Sequence, residues 1–145
     1  MTRDFTQRWL GFMSLFIIGF GLFVALGAHP STAGVMAWFA DLFFWPLDGA
    51  EALAGNEARL LAAISGGVTV GWGVMLWLVV TRLLPVDSGL ARAMLVWGTL
   101  AWFIVDSSGS LAAGAPINVA LNTVLMLGIV GPAWRIRPAG LRPAS

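Results

Sequence analysis

Four stretches of this 145-residue chain stay apolar for about as long as a helix needs to cross a bilayer, and almost nothing ionised interrupts them. A hydrocarbon core of ~30 Å takes roughly 20 residues at 1.5 Å rise each. The stretches cover residues 9–28, 60–84, 89–112 and 116–134. The first holds no charge, the second holds Arg82 near its end, and the third holds Arg92 at its start and Asp106 inside it. Hydrocarbon offers no water to backbone N–H and C=O groups, so each stretch must pair them internally, as a helix does. A soluble fold is excluded by composition: 59% of residues are hydrophobic and 10% charged, against about 25% charged in globular domains. The expected fold is therefore all-α, an integral membrane bundle of four transmembrane helices forming a single domain over residues 1–145.

Local signals set the helix ends. Asn56 is suited to N-cap the second helix, with Glu57 placed against its N-terminal dipole. Pro85 stops that helix, Asp87 or Ser88 can cap the third, and Pro116 suits the first turn of the fourth. Gly131-Pro132 marks a fraying end, and the tail 138–145 is expected to be disordered.

All eight basic residues are arginines, and their distribution orients the chain. Arg3, Arg8, Arg82, Arg92, Arg135, Arg137 and Arg142 fall on one side and Arg59 alone on the other. The excess of Lys and Arg on the cytoplasmic side of membrane proteins then puts both termini in the cytoplasm. Arg3, Arg8 and the following apolar run also have the shape of a signal peptide with small residues near Ala25. The run is longer than the usual 7–15 residues of such a segment, which favours a retained helix.

The outer loop, 29–56, carries Asp41, Asp48, Glu51 and Glu57 at or near it. Within it, Ser31 and Thr32 start a helix expected over 33–44, too short to span and too apolar to stand in water. It is expected to lie in the interface as an amphipathic helix, with Trp38 and Trp45 at headgroup depth. Trp9 and Trp134 would form the belt on the opposite side. Asp48 and Glu51 resemble a capping box for a further turn.

Apolar side chains gain little by leaving lipid for one another, so helices associate through close backbone approach and interhelical hydrogen bonds. Gly11, Ser14 and Gly21 make a stripe of small residues on the first helix, and Gly67 with Gly71 makes a G-x-x-x-G pattern on the second. The pattern fits a dimerisation face or packing inside one bundle. Packing inside the bundle is the preferred expectation, because the motif recurs by chance in Gly-rich helices.

Asp106 is the most informative residue. A carboxylate at membrane depth costs about 2.5–3.5 kcal/mol on insertion scales. The short connection makes the third and fourth helices antiparallel, so Asn118 and Asn122 come to the depth of Asp106, with Ser110 a turn away. Arg59 stands near the same side and is expected to reach inward. Such a cluster is either a structural clamp or a solute or proton site, with the clamp slightly favoured. In a third possibility Ser107-Ser108-Gly109-Ser110 breaks the helix and leaves Asp106 at its end.

The remaining inventory excludes much chemistry. The chain has no cysteine and one histidine, His29, so thiolate and bis-His metal sites are out of reach, and no metal or cofactor is expected. No nucleophile–base set or phosphate-binding motif appears. The arginines are scattered at segment ends rather than clustered on one face, which argues against nucleic acid. The run Trp102-Phe103-Ile104-Val105-Asp106-Ser107-Ser108-Gly109-Ser110, followed by Gly114, Asn118 and Asn122, resembles small four-helix bacterial inner-membrane proteins of unassigned function. That resemblance implies a multi-pass protein of the bacterial inner membrane and brings no activity with it. The expected role is non-enzymatic: an accessory or assembly component of a larger membrane complex, with the lipid bilayer and other subunits or itself as partners. The alternative is a small transporter or channel-like protein with its polar site around Asp106.

Overall fold

The computed structural model describes residues 3–44, 48–49 and 55–137, and all regular structure among them is helical. Five α-helices follow in order: α1 (Arg3–Ala25), α2 (Ala33–Asp41), α3 (Asn56–Leu78), α4 (Ser88–Ala112) and α5 (Pro116–Trp134). A 3₁₀ turn, Leu26–Ala28, extends α1, and a π turn, Val79–Leu83, extends α3. Four of these helices are long and apolar enough to cross a membrane. Trp45, Glu51 of the expected capping box, and the tail 138–145 lie outside the described residues.

α1 starts at Arg3 rather than at residue 9, because its polar first turns find partners in the bundle. Thr6 is buried, and Gln7 donates from Nε2 to the Val80 carbonyl at 3.3 Å. Asn56, expected as an N-cap, sits inside the first turn of α3, where Gly55 is the cap in extended conformation. Pro85 does not simply stop that helix. It follows a widened turn in which the Leu84 amide donates to Val79 O at 2.8 Å. Asp87 then caps α4, accepting from the Leu90 amide at 2.9 Å. The serines near Asp106 leave α4 unbroken, because their hydroxyls bond back along the helix: Ser108 to Ile104 O at 2.6 Å and Ser110 to Asp106 O at 2.8 Å. Gly114, at φ 77°, makes the turn that reverses the chain into α5. Pro132, expected at a fraying end, lies inside α5, which continues to Trp134.

The helices pair as α1 with α3 and α4 with α5. Glycine makes the first pairing close. A Cβ on Gly66 would stand 2.5 Å from the Ala25 amide nitrogen, one on Gly21 2.7 Å from that of Val70, and one on Gly73 2.7 Å from Ile18 Cγ1. Gly11 and Ser14 are also buried on α1, Gly11 beside Trp77 and Ser14 donating to Leu10 O at 2.8 Å. Gly67 and Gly71, expected inside the bundle, are exposed instead, and a Cβ at either would meet nothing within 4 Å. Each residue turns a helix by about 100°, so the neighbouring Gly66 takes the buried position and Gly67 faces outward.

The two pairs join over Leu10, Met13 and Ile17 of α1, Leu76, Val79, Val80 and Leu84 at the end of α3 and after it, Leu95 and Val96 of α4, and Ile129 and Ala133 of α5. This core lies towards the end that carries Arg8, Arg82, Arg92 and Arg135. Further along, Trp72 of α3 meets Trp102 of α4, ring centroids 4.9 Å apart. α2 docks on the far end of α1 through Phe39, whose ring meets Phe20 at 5.7 Å, Phe23 at 5.2 Å and Phe43 at 5.0 Å. Trp38 points away from this cluster and is 67% exposed.

Candidate functional site

Asp106 stands roughly 9 Å before the end of α4 at 1.5 Å per residue. Asn118 and Asn122 stand one turn apart on the opening turns of α5. The Gly114 turn folds α5 back along α4 and brings the three side chains together. One carboxylate oxygen, Oδ1, accepts from Asn122 Nδ2 at 2.6 Å, Asn118 Nδ2 at 3.0 Å and Ser110 Oγ at 3.3 Å. Asn118 Nδ2 also donates to Ser110 Oγ at 2.7 Å. The single Ser110 proton is thus shared between the Asp106 carbonyl and carboxylate, while its oxygen accepts from Asn118.

Ser107 belongs to the same group, although its place in the sequence marked it only as one of a serine run. It is buried, and its Oγ accepts from Asn122 Nδ2 at 3.4 Å. Only the approach of α5 selects it. Asn122 is buried with it, whereas Asp106, Asn118 and Ser110 are half-buried.

Arg59 does not join them. Its guanidinium donates from Nη2 to Asn56 Oδ1 at 3.0 Å and from Nε to Gly55 O at 3.4 Å, closing the first turn of its own helix. The cause is the pairing of helices: α3 leans on α1, so its N-terminal turn is not carried against α4. The Asp106 carboxylate is held by neutral donors, all converging on Oδ1. Its Oδ2 accepts no hydrogen bond from a described residue.

Chemically this is a knot of amide and hydroxyl donors around one acceptor. Such a group ties two helices together strongly in a low-dielectric setting, and the bare Oδ2 remains able to take a proton or a donor. On the same face of α4, Trp102 meets Trp72 in a tilted ring contact about one turn below. Below that, Thr99 is fully buried with no hydrogen-bond partner for Oγ1 among the described residues. No group of three His, Asp or Glu side chains among the described residues could hold a metal.

The tryptophans expected at interfaces separate by role. Trp134 is 58% exposed under the guanidinium of Arg92, whose Cζ lies 4.8 Å from the ring centre. Trp9, at the same end, lies between Phe5 and Phe12 and donates from Nε1 to Gly128 O at 2.8 Å, which ties α1 to α5. No family model, curated protein or solved structure matches the chain, so the cluster is understood from its own geometry.

Proposed function

We propose that this is a non-enzymatic, multi-pass protein of the bacterial inner membrane that serves as an accessory or assembly component of a larger membrane complex. Both termini lie in the cytoplasm in this reading, which the grouping of Arg8, Arg82, Arg92, Arg135 and Arg137 at one end supports. The resemblance of residues 102–122 to small four-helix inner-membrane proteins supports the same setting.

One observation carries the accessory role: the face of α3 that bears Gly67 and Gly71 meets no partner among the described residues. Leu60, Ile64, Val74 and Leu78 continue that face at alternating spacings of three and four, and all are exposed. Paired glycines on such a seam let a second helix backbone approach closely, where van der Waals packing drives association in lipid. The Asp106 cluster is then the clamp that keeps α4 and α5 a rigid hairpin.

Cysteines placed at Gly67 and Gly71 in the full chain test this in native membranes, with Val124, 70% exposed on α5, as the control position. Crosslinking specific to the α3 positions, to another membrane subunit or a second copy, is expected. Equal labelling at Val124, with gentle extraction yielding a lone monomer, overturns the role.

A second reading, a solute or proton carrier, is favoured by the bare Oδ2 of Asp106. It requires D106N to abolish a measurable flux in proteoliposomes while the protein remains folded.

A further inference from the structure

A second site lies at the opposite end of the α4–α5 hairpin from Asp106. The N-terminal turns of α4 and the last turn of α5 flank an open groove of about 280 Å³, lined by Gly89, Arg92, Ala93, Val96, Trp97 and Trp134. Gly89 and Ala93, one turn apart, leave room beside the larger groups. Arg92 is the charged member. Its guanidinium lies 4.8 Å from the centre of the Trp134 ring and makes no hydrogen bond or ion pair with a described residue. The nearest carboxylate in the sequence, Asp87, is engaged in capping the Leu90 amide at 2.9 Å. A guanidinium stacked on an indole keeps its N–H edge directed outward, free for an anion.

The groove is also graded along the helix. Arg92 lies about 6 Å past the start of α4, and Trp97 roughly 7.5 Å deeper at 1.5 Å per residue. Trp97 is 67% exposed and Trp134 58% exposed, so both present apolar rings sideways to the surroundings. Arg8, Arg82, Arg135 and Arg137 share this end of the molecule, with Asp4 and Asp87 as the acids in the described chain there. A ligand that fits must carry an anionic group at the Arg92 level, lack a compensating cation, and continue into an apolar part along Val96 and Trp97.

We propose that this groove binds the headgroup of an anionic membrane phospholipid, the Arg92 guanidinium holding the phosphodiester and Trp134 and Trp97 flanking the glycerol and upper acyl chain. A guanidinium matches phosphate oxygens with paired N–H donors, and a basic pocket between spanning helices is a recognised headgroup site. The site stands apart from the Gly67–Gly71 face and rests only on the chain residing in a bilayer.

The test reconstitutes the full chain into phosphatidylcholine vesicles carrying a small fraction of brominated lipid, either phosphatidylglycerol or phosphatidylcholine. Bromine quenches nearby tryptophan, and the difference between wild type and W97F isolates the signal at the groove. Phosphatidylglycerol is expected to quench that signal more than phosphatidylcholine at equal fraction. The preference is expected to fall about fivefold in R92Q and to persist in R82Q, whose arginine is exposed at the same end outside the groove. Helix content by circular dichroism verifies folding of each variant. Should R92Q not fold, W134L serves in its place and is expected to weaken the preference likewise. An unchanged preference in R92Q or its substitute, or an equal loss in R82Q, overturns the site. Inorganic phosphate removing the preference at millimolar concentration would assign the groove to free anions and also overturn it.

Discussion

Trp9 donates its indole N–H to the carbonyl of Gly128 over 2.8 Å, and that carbonyl lacks its usual helical donor because Pro132 stands four residues on. Proline has no N–H to offer. In a bilayer the freed carbonyl needs a partner from a neighbouring helix, and α1 supplies it. The same logic holds where α3 ends. In the π turn Leu84 donates to Val79 O, and the residue that would serve Val80 O in the next widened turn is Pro85; Gln7 donates to Val80 O instead. Two side chains near the start of α1 thus satisfy carbonyls released by two prolines on different helices.

This relationship predicts a coupling. Trp9→Phe is expected to destabilise the bundle by about 0.6–1.7 kcal/mol, the range of interhelical hydrogen bonds in membranes. Pro132→Ala restores an N–H to serve Gly128 O, so Trp9→Phe is expected to cost less in that background. A double-mutant cycle of unfolding in mixed detergent micelles measures the difference. Additive effects of the two substitutions would show that the proline does not create the need for Trp9.

The Asp106 cluster makes a graded prediction. Asp106→Ala leaves the amides of Asn118 and Asn122 without their common acceptor and is expected to cost about 1–2 kcal/mol. Asp106→Asn keeps a carbonyl oxygen there and is expected to cost less. Asn122→Ala is expected to cost more than Asn118→Ala, since Asn122 is more buried and its bond is 2.6 Å against 3.0 Å. Thermal unfolding of the purified variants gives the order.

Adjacent glycines on α3 are expected to respond oppositely. Gly66→Val puts a Cβ against the backbone of Ala25, where no side chain can move aside, and is expected to cost about 1–3 kcal/mol and to loosen α1 from α3. Gly67→Ala, in open space, is expected to stay within about 0.5 kcal/mol of wild type. A cysteine pair across α1 and α3 reports the loosening as lost crosslinking.

Thr99→Val is expected to be neutral or stabilising by about 1 kcal/mol. The substitution removes a fully buried hydroxyl with no hydrogen-bond partner among the described residues and keeps the shape of the side chain. A clear loss of stability would mean that the hydroxyl finds a partner beyond the described residues.

Sequence alone determined the number and place of the four helices long and apolar enough to cross a membrane, because length and lack of charge are properties of contiguous residues. The hairpin of α4 and α5 was equally legible: a short link containing Gly114 permits only an antiparallel return, which set Asp106 beside Asn118 and Asn122. Pairing between distant helices was not. Whether Gly66 or Gly67 faces α1 depends on a 100° rotation that hydropathy does not record, since in lipid an apolar residue is equally at home facing a helix or an acyl chain. Tertiary structure also decided that Arg59 serves its own helix end, that Ser107 joins Asn122, and that Trp9 is a tie between α1 and α5. For Ser107 and Trp9 the partner lies on another helix, and for Arg59 it lies in the first turn of its own; only the packing of backbones chooses which polar groups come within reach.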